Sequence, residues 1–346
     1  MDKAILPALI GATVAMLVTA IKDVCIPIVK HRLAEKEKSR TLIEKYAPPL
    51  GISALSLFYR MREMVVLKRY DYLEEAKRNN DFSLYKYISS LYRLASLLGW
   101  IRAMKLENSQ LLHISKDQQA KMTNLVYEFE SSLADGPHAE LEILQSLSQL
   151  WDISLPECQD KKHIIANECD DVRRCTLAGQ LIGSNNNDNL ATLKQIAESI
   201  CTAVGCSPVS DSTLKRTADE AVSILNPKQF WIYRDWQAAI GDIMIKESNT
   251  PIREFDVIGY GDFEKLYENK DKWVSRLENL LSDIDFDSSC CDYRIQQLQD
   301  ILASTAQLVL KINELNIKGK PFTDDNIKHV KEYVRSVSRI NANRNG

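Results

Sequence analysis

Residues 230–244, FWIYRDWQAAIGDIM, concentrate more potential chemistry than any other stretch of the chain. Read as a helix, they put the Asp235 and Asp242 carboxylates on one face, because seven residues make close to two turns. Trp231 stands one turn before Asp235 on that face. Arg234 offers a rigid fork of donors suited to an anion, and the two carboxylates are candidate acid–base or metal groups. Gln237 interrupts an apolar stripe of Phe230, Tyr233, Ile240 and Met244, where a buried amide needs hydrogen-bond partners. Arg234, Asp235, Gln237 and Asp242 are therefore the candidate ligand-binding residues. A competing reading makes the same residues a buried polar network that holds a core helix. That reading is favoured, because no histidine accompanies the carboxylates. It predicts that Arg234, Asp235 and Gln237 are buried and locally paired. Ala238 and Gly241 leave room for another backbone to come close.

The remaining chemistry is sparse. Ile258-Gly259-Tyr260-Gly261-Asp262 places two glycines before a helix, a geometry that can bind an anion through backbone N–H groups. Asp262, the expected N-cap, opposes an anion there. Sequence motifs for phosphate loops, dinucleotide binding, zinc hydrolysis and the serine nucleophile elbow are absent. His163, Cys169 and Cys175 are six apart, which does not bring all three to one helix face, and no Cys-x-x-Cys pair occurs. No metal site and no cofactor are expected. The eight cysteines read as small hydrophobes in a reducing compartment, including Cys201 and Cys206 at a shared helix end and the vicinal pair Cys290-Cys291.

The elements that must position these residues are helices. Leu84, Ile88, Leu91, Ala95 and Leu98 recur at the spacing of a core-facing helix, and Tyr85, Tyr92 and Trp100 widen its stripe. Leu298, Leu302, Thr305, Val309 and Ile312 mark another, and Ile327, Val330, Val334 and Val337 the last. Phe263, Leu266, Trp273, Leu277, Leu280 and Ile284 read as one helix, and Pro227 as a helix start. Pro48-Pro49 is expected to end or kink one helix and open the next. Only residues 255–261 alternate like a strand, too briefly to found a sheet. The expected fold is all-α: an N-terminal transmembrane helix followed by a multi-helix cytoplasmic bundle. The organisation expected is an anchor and juxtamembrane segment at 1–30, helical halves at 31–183 and 190–340 parted by the polar run at 184–189, which reads equally as a loop within one bundle, and a polar tail at 341–346.

Residues 4–21, AILPALIGATVAMLVTAI, carry no charge and span about 27 Å as a helix, just enough for the hydrocarbon core. Lys22, Lys30, Arg32, Lys36, Lys38, Arg40 and Lys45 follow, against Lys3 alone before, and such an excess marks the cytoplasmic side. This orientation, a single-pass signal anchor in the inner membrane with a cytoplasmic body, is preferred over a cleaved signal peptide ending near Val18-Thr19-Ala20 and over a buried soluble helix. Residues 22–110 hold seventeen Lys/Arg against ten Asp/Glu, whereas the whole 346-residue chain has a net charge of −3. A basic juxtamembrane third suits anionic lipid headgroups, and the near-neutral total gives no general attraction to nucleic acid. The partners expected are lipid, through the N-terminal helix, and a protein.

The runs KYAPPLGISALSLFYRMREMV, SLYRLASLLGWIRAMKLENSQLL, FWIYRDWQAAIGDIMI and VIGYGDFEKL, behind an N-terminal anchor with a basic flank, resemble a family of uncharacterised bacterial single-pass membrane proteins. The resemblance implies the anchor, the all-helical body and a bacterial source, and supplies no activity. The function expected is that of a membrane-anchored interaction or scaffold protein. The alternative is a membrane-tethered enzyme or ligand sensor with a polar pocket around Arg234, Asp235 and Asp242.

Overall fold

The computed structural model describes residues 26–109, 116–134, 139–176, 186–225, 230–284, 286, 292–315, 317, 319 and 321–344. The anchor expected at 4–21 lies outside them, and no helix among the described residues is long and apolar enough to cross a membrane. Among the described residues the regular structure is helical apart from one two-stranded ribbon. The helices are α1 (Ile26–Val65), α2 (Asp81–Ser109), α3 (Lys116–Ala134), α4 (Ala139–Leu150), α5 (Gln159–Thr176), α6 (Asn186–Val204), α7 (Asp211–Arg216) and α8 (Ala218–Leu225), followed by α9 (Arg234–Met244). After the antiparallel strands β1 (Ile245–Glu247) and β2 (Phe255–Val257) come α10 (Tyr260–Glu268), α11 (Lys272–Leu281), α12 (Tyr293–Glu314) and α13 (Asp324–Arg344).

Two apolar cores form. The larger is built by α1, α2, α3 and α9–α13, with α12 against α1 and α3, and α2 against α1 and α9. The stripe expected on α2 supplies Ile88, Leu91, Ala95 and Leu98 to this core, while Leu84 at its start is exposed. All five residues of the α12 stripe are buried. The smaller core belongs to α4–α8, with Leu144, Leu147, Leu193, Ile196 and Ile200 at its centre. The chain thus leaves the larger core after α3, builds a second one, and returns at residue 230. The expected division at 184–189 does not coincide with this partition: α5 and α6, on either side of that run, pack on each other within one core.

Several local expectations are corrected. α1 runs unbroken through Pro48 and Pro49. Tyr46, Ala47 and Leu50 around them are buried, so tertiary packing outweighs the lost donors there. The polar run at 184–189 is in part helix, since α6 starts at Asn186. The helix read across 263–284 is two, α10 and α11. Lys270 takes a left-handed φ of 52°, and the Asp271 carboxylate accepts from the Trp273 and Val274 amides to start α11. The residue capping α10 is Gly259, and Asp262 instead pairs with Lys265 inside the first turn. The segment read as a polar tail is helical as far as Arg344.

Candidate functional site

The helix carrying the candidate residues begins at Arg234, and residues 230–233 before it are not helical; Pro227, read as a helix start, lies outside the described residues. From there α9 lies across α2 at very short range. A Cβ on Gly241 would stand 2.5 Å from Arg102 Cβ and 3.1 Å from the Leu98 carbonyl oxygen. A Cβ on Gly99 would stand 2.8 Å from Met244 Cβ. The close approach expected at Gly241 is therefore present, with Gly99 as its counterpart on the opposing helix.

Gln237 is 3% exposed. Its amide nitrogen donates to the Glu130 carbonyl at 2.9 Å and to the Ile232 carbonyl at 2.7 Å. The Ile232 amide donates to the Leu133 carbonyl at 2.9 Å, and Gln297 on α12 donates to the same carbonyl at 3.1 Å. Glu130 and Leu133 are the last turn of α3, where the chain departs for the smaller core, and Ile232 is where it comes back. These bonds stitch the two ends of the excursion together. Gln237 is buried and locally paired, as the network reading requires, and its position at this neck gives the reason.

The other candidates behave differently. Arg234 is exposed on the outside of the neck. It donates to Ser131 Oγ at 2.7 Å, lies 3.5 Å from a Glu130 carboxylate oxygen, and stands over the Tyr127 ring. Glu130 is buried and also accepts from Lys105 at 2.5 Å. Asp235 is exposed, in the first turn of α9, where a carboxylate suits the positive end of the helix. Asp242 is exposed and bonds Arg102 at 2.7 and 3.3 Å. The expectation that Arg234 and Asp235 are buried is thus overturned. A rim position lets Arg234 reach α3, and Asp235 keeps its hydration. Sequence reasoning did not find Tyr127, Glu130, Ser131 and Arg102, because each lies over a hundred residues from its partner and no periodicity links them.

No family model matches the chain, and comparison with curated proteins and with solved structures yields no significant match.

Two further places combine exposure with chemistry. The first is the tip where α1 ends and α2 begins. Val66, Leu67, Phe82 and Tyr85 are exposed there, Phe82 to 67%. Beneath them lies a cluster of charge. Arg60, 4% exposed, donates to Ser89 Oγ at 3.4 Å and sits 3.3 Å from Glu63. Lys86 also pairs with Glu63 and lies over the rings of Tyr72 and Phe82, at 5.5 and 5.9 Å. Arg93 donates to the Ser56 carbonyl, and burial followed by the neighbouring Arg60 charge lowers its pKa. Arg60 and Lys86 share the Glu63 carboxylate, Arg93 adds a third positive charge near Arg60, and Arg60 Nε and Nη1 make no hydrogen bond. Of these cations, Lys86 lies against the exposed Phe82 ring.

The second is a cleft of about 570 Å³ in the smaller core, between the α4–α5 connection and the end of α6. Leu155, Pro156, Ile164 and Val204 line it with Lys161 and Glu168. Cys158, just before α5, is exposed. Its thiol pKa is lowered chiefly by the Lys161 amide of the first turn, helped by the Asp160 amide and the Lys161 charge. Among the described residues no group of three His, Cys, Asp or Glu side chains could hold a metal ion.

Proposed function

We propose that the chain is a membrane-anchored helical interaction protein, held by residues 4–21 with its body in the cytoplasm, and that it docks a protein partner on the tip between α1 and α2. The observation that carries this reading is the exposure of Phe82, Tyr85, Val66 and Leu67 beside the cation excess of Arg60, Lys86 and Arg93. Aromatic anchors ringed by unbalanced charge suit a partner segment that brings apolar side chains and carboxylates together. The forty residues of α1 extend about 60 Å. An anchor before Ile26 thus leaves the tip at the far end of a long helical arm, away from the bilayer.

The enzyme or sensor reading around Arg234, Asp235 and Asp242 has less behind it. Arg234 is engaged by Ser131 and Glu130, and Asp242 by Arg102. The test is affinity purification of the full chain from native membranes, wild type against Phe82→Ser/Tyr85→Ser. Both positions are exposed, so the melting temperature should hold. The reading expects proteins that co-purify with wild type and are lost from the variant. The same set with both proteins, or a C-terminal reporter active only outside the cytoplasm, overturns it.

A further inference from the structure

We propose that Cys201 and Cys206 form a thiol-modification site, at which glutathione disulfide or a small disulfide of its class converts the two thiols into an intramolecular disulfide. The inference rests on how α6 ends. Gly205 turns the chain out of the helix with a left-handed φ of 78°. The amides of Gly205 and Cys206 both donate to the Cys201 carbonyl, at 2.8 and 2.9 Å. With standard bond lengths, that second contact keeps the two Cα atoms within about 6.8 Å, inside the range a disulfide spans. In this kind of helix ending the side chains of the two residues face each other. The two thiols are accordingly neighbours, and Cys206 helps raise the Cys201 thiol pKa. Cys206 is exposed and Cys201 buried, so a reagent meets Cys206 first. Ala203 and Val204, inside the ring that the bond would close, line the cleft described above, so oxidation fixes one of its walls.

The reaction balances in two exchanges. The Cys206 thiolate attacks one sulfur of glutathione disulfide, and the first glutathione leaves as thiolate and takes up a proton. Cys201 then gives its proton to solvent and attacks the Cys206 sulfur. The bond to glutathione breaks, and the second glutathione departs. Two protein thiols are oxidised and one glutathione disulfide is reduced to two glutathiones. Burial and the Cys206 neighbour push the Cys201 thiol up to about 11, so the second exchange quickens as the pH rises.

The experiment uses the reduced full chain, incubated with glutathione disulfide at mildly alkaline pH, quenched with acid and N-ethylmaleimide, and mapped without reduction. Both cysteines fall in the tryptic peptide 195–215. The expected wild-type product is that peptide lighter by two hydrogens, with neither glutathione nor maleimide on it. Cys201→Ser should accumulate a stable glutathione adduct on Cys206, and Cys206→Ser should leave Cys201 to be alkylated only after denaturation. A persistent Cys206 adduct in wild type, pairing of either residue with Cys158 or another cysteine, or an unchanged 195–215 peptide overturns the proposal.

Discussion

Replacing Gln237 by methionine tests the neck most sharply. The two side chains are close in volume and both are unbranched, so packing against Ile240 and α3 is kept. What is lost is a pair of buried donations, to the Glu130 carbonyl at 2.9 Å and the Ile232 carbonyl at 2.7 Å. Each such bond contributes a net of about 0.5–1.5 kcal/mol. The wild-type amide oxygen has no donor of its own, so its removal offsets part of the loss. The balance is a destabilisation of about 2 kcal/mol. The larger core draws on roughly 200 residues, for which 1 kcal/mol moves Tm by about 2–4 °C, so the expected fall is about 4–8 °C. Differential scanning calorimetry of the full chain should place that fall in the transition of the larger core and leave the α4–α8 transition within about a degree, since distant sites are independent. A Gln237→Met protein whose larger-core transition does not move would refute the claim that this amide holds the neck.

Other expectations follow from the same geometry. Gly241→Ala should destabilise the α2–α9 crossing by about 1–3 kcal/mol, read by thermal melting, because its Cβ must displace Arg102. Burial would raise the Glu107 carboxyl, but donations from Lys45, Tyr46 and the Glu254 amide outweigh it and leave the pKa below the ordinary value. A depressed carboxyl stabilises the fold above its unfolded pKa of about 4.3, and that stability is lost as the pH falls through the folded value. Glu107→Gln should therefore melt lower at neutral pH but lose less on acidification, as followed by circular dichroism. In timed alkylation near neutral pH, Cys158 should react well before Cys169, whose thiol burial pushes up to about 11. Equal rates would contradict the assignment of the helix-start amides as the cause.

The helical fold was legible because its signals are local. The α2 and α12 stripes repeat at helical spacing, and their inward residues are the buried ones. Gln237 was legible for the same reason, as a polar residue in an apolar row. What escaped was whatever depends on contacts between distant segments. Nothing near Pro48 and Pro49 reveals that buried neighbours carry a helix across them. A polar run such as 184–189 looks like a boundary, yet the chain changes cores between α3 and α4 and again before residue 230, where Asp135-Gly136-Pro137 and Asn226-Pro227 read in the sequence as ordinary helix ends. The spacing of Asp235 and Asp242 suggested a shared face, but the partners of Arg234 and Asp242 sit on α3 and α2, distant segments that local spacing does not reveal. The tip was overlooked because Phe82 and Tyr85 continue the α2 pattern, and only the structure leaves them uncovered.

The most direct test of the docking reading is photo-crosslinking in intact membranes, with a photoreactive residue at Phe82 in the full chain and, as control, at exposed Lys328 on α13. Position 82 should yield a discrete adduct with one protein, through a segment rich in carboxylates and apolar side chains, and Lys86→Glu should abolish it by reversing the charge under the ring. No adduct at position 82, or the same adduct from position 328, would contradict it.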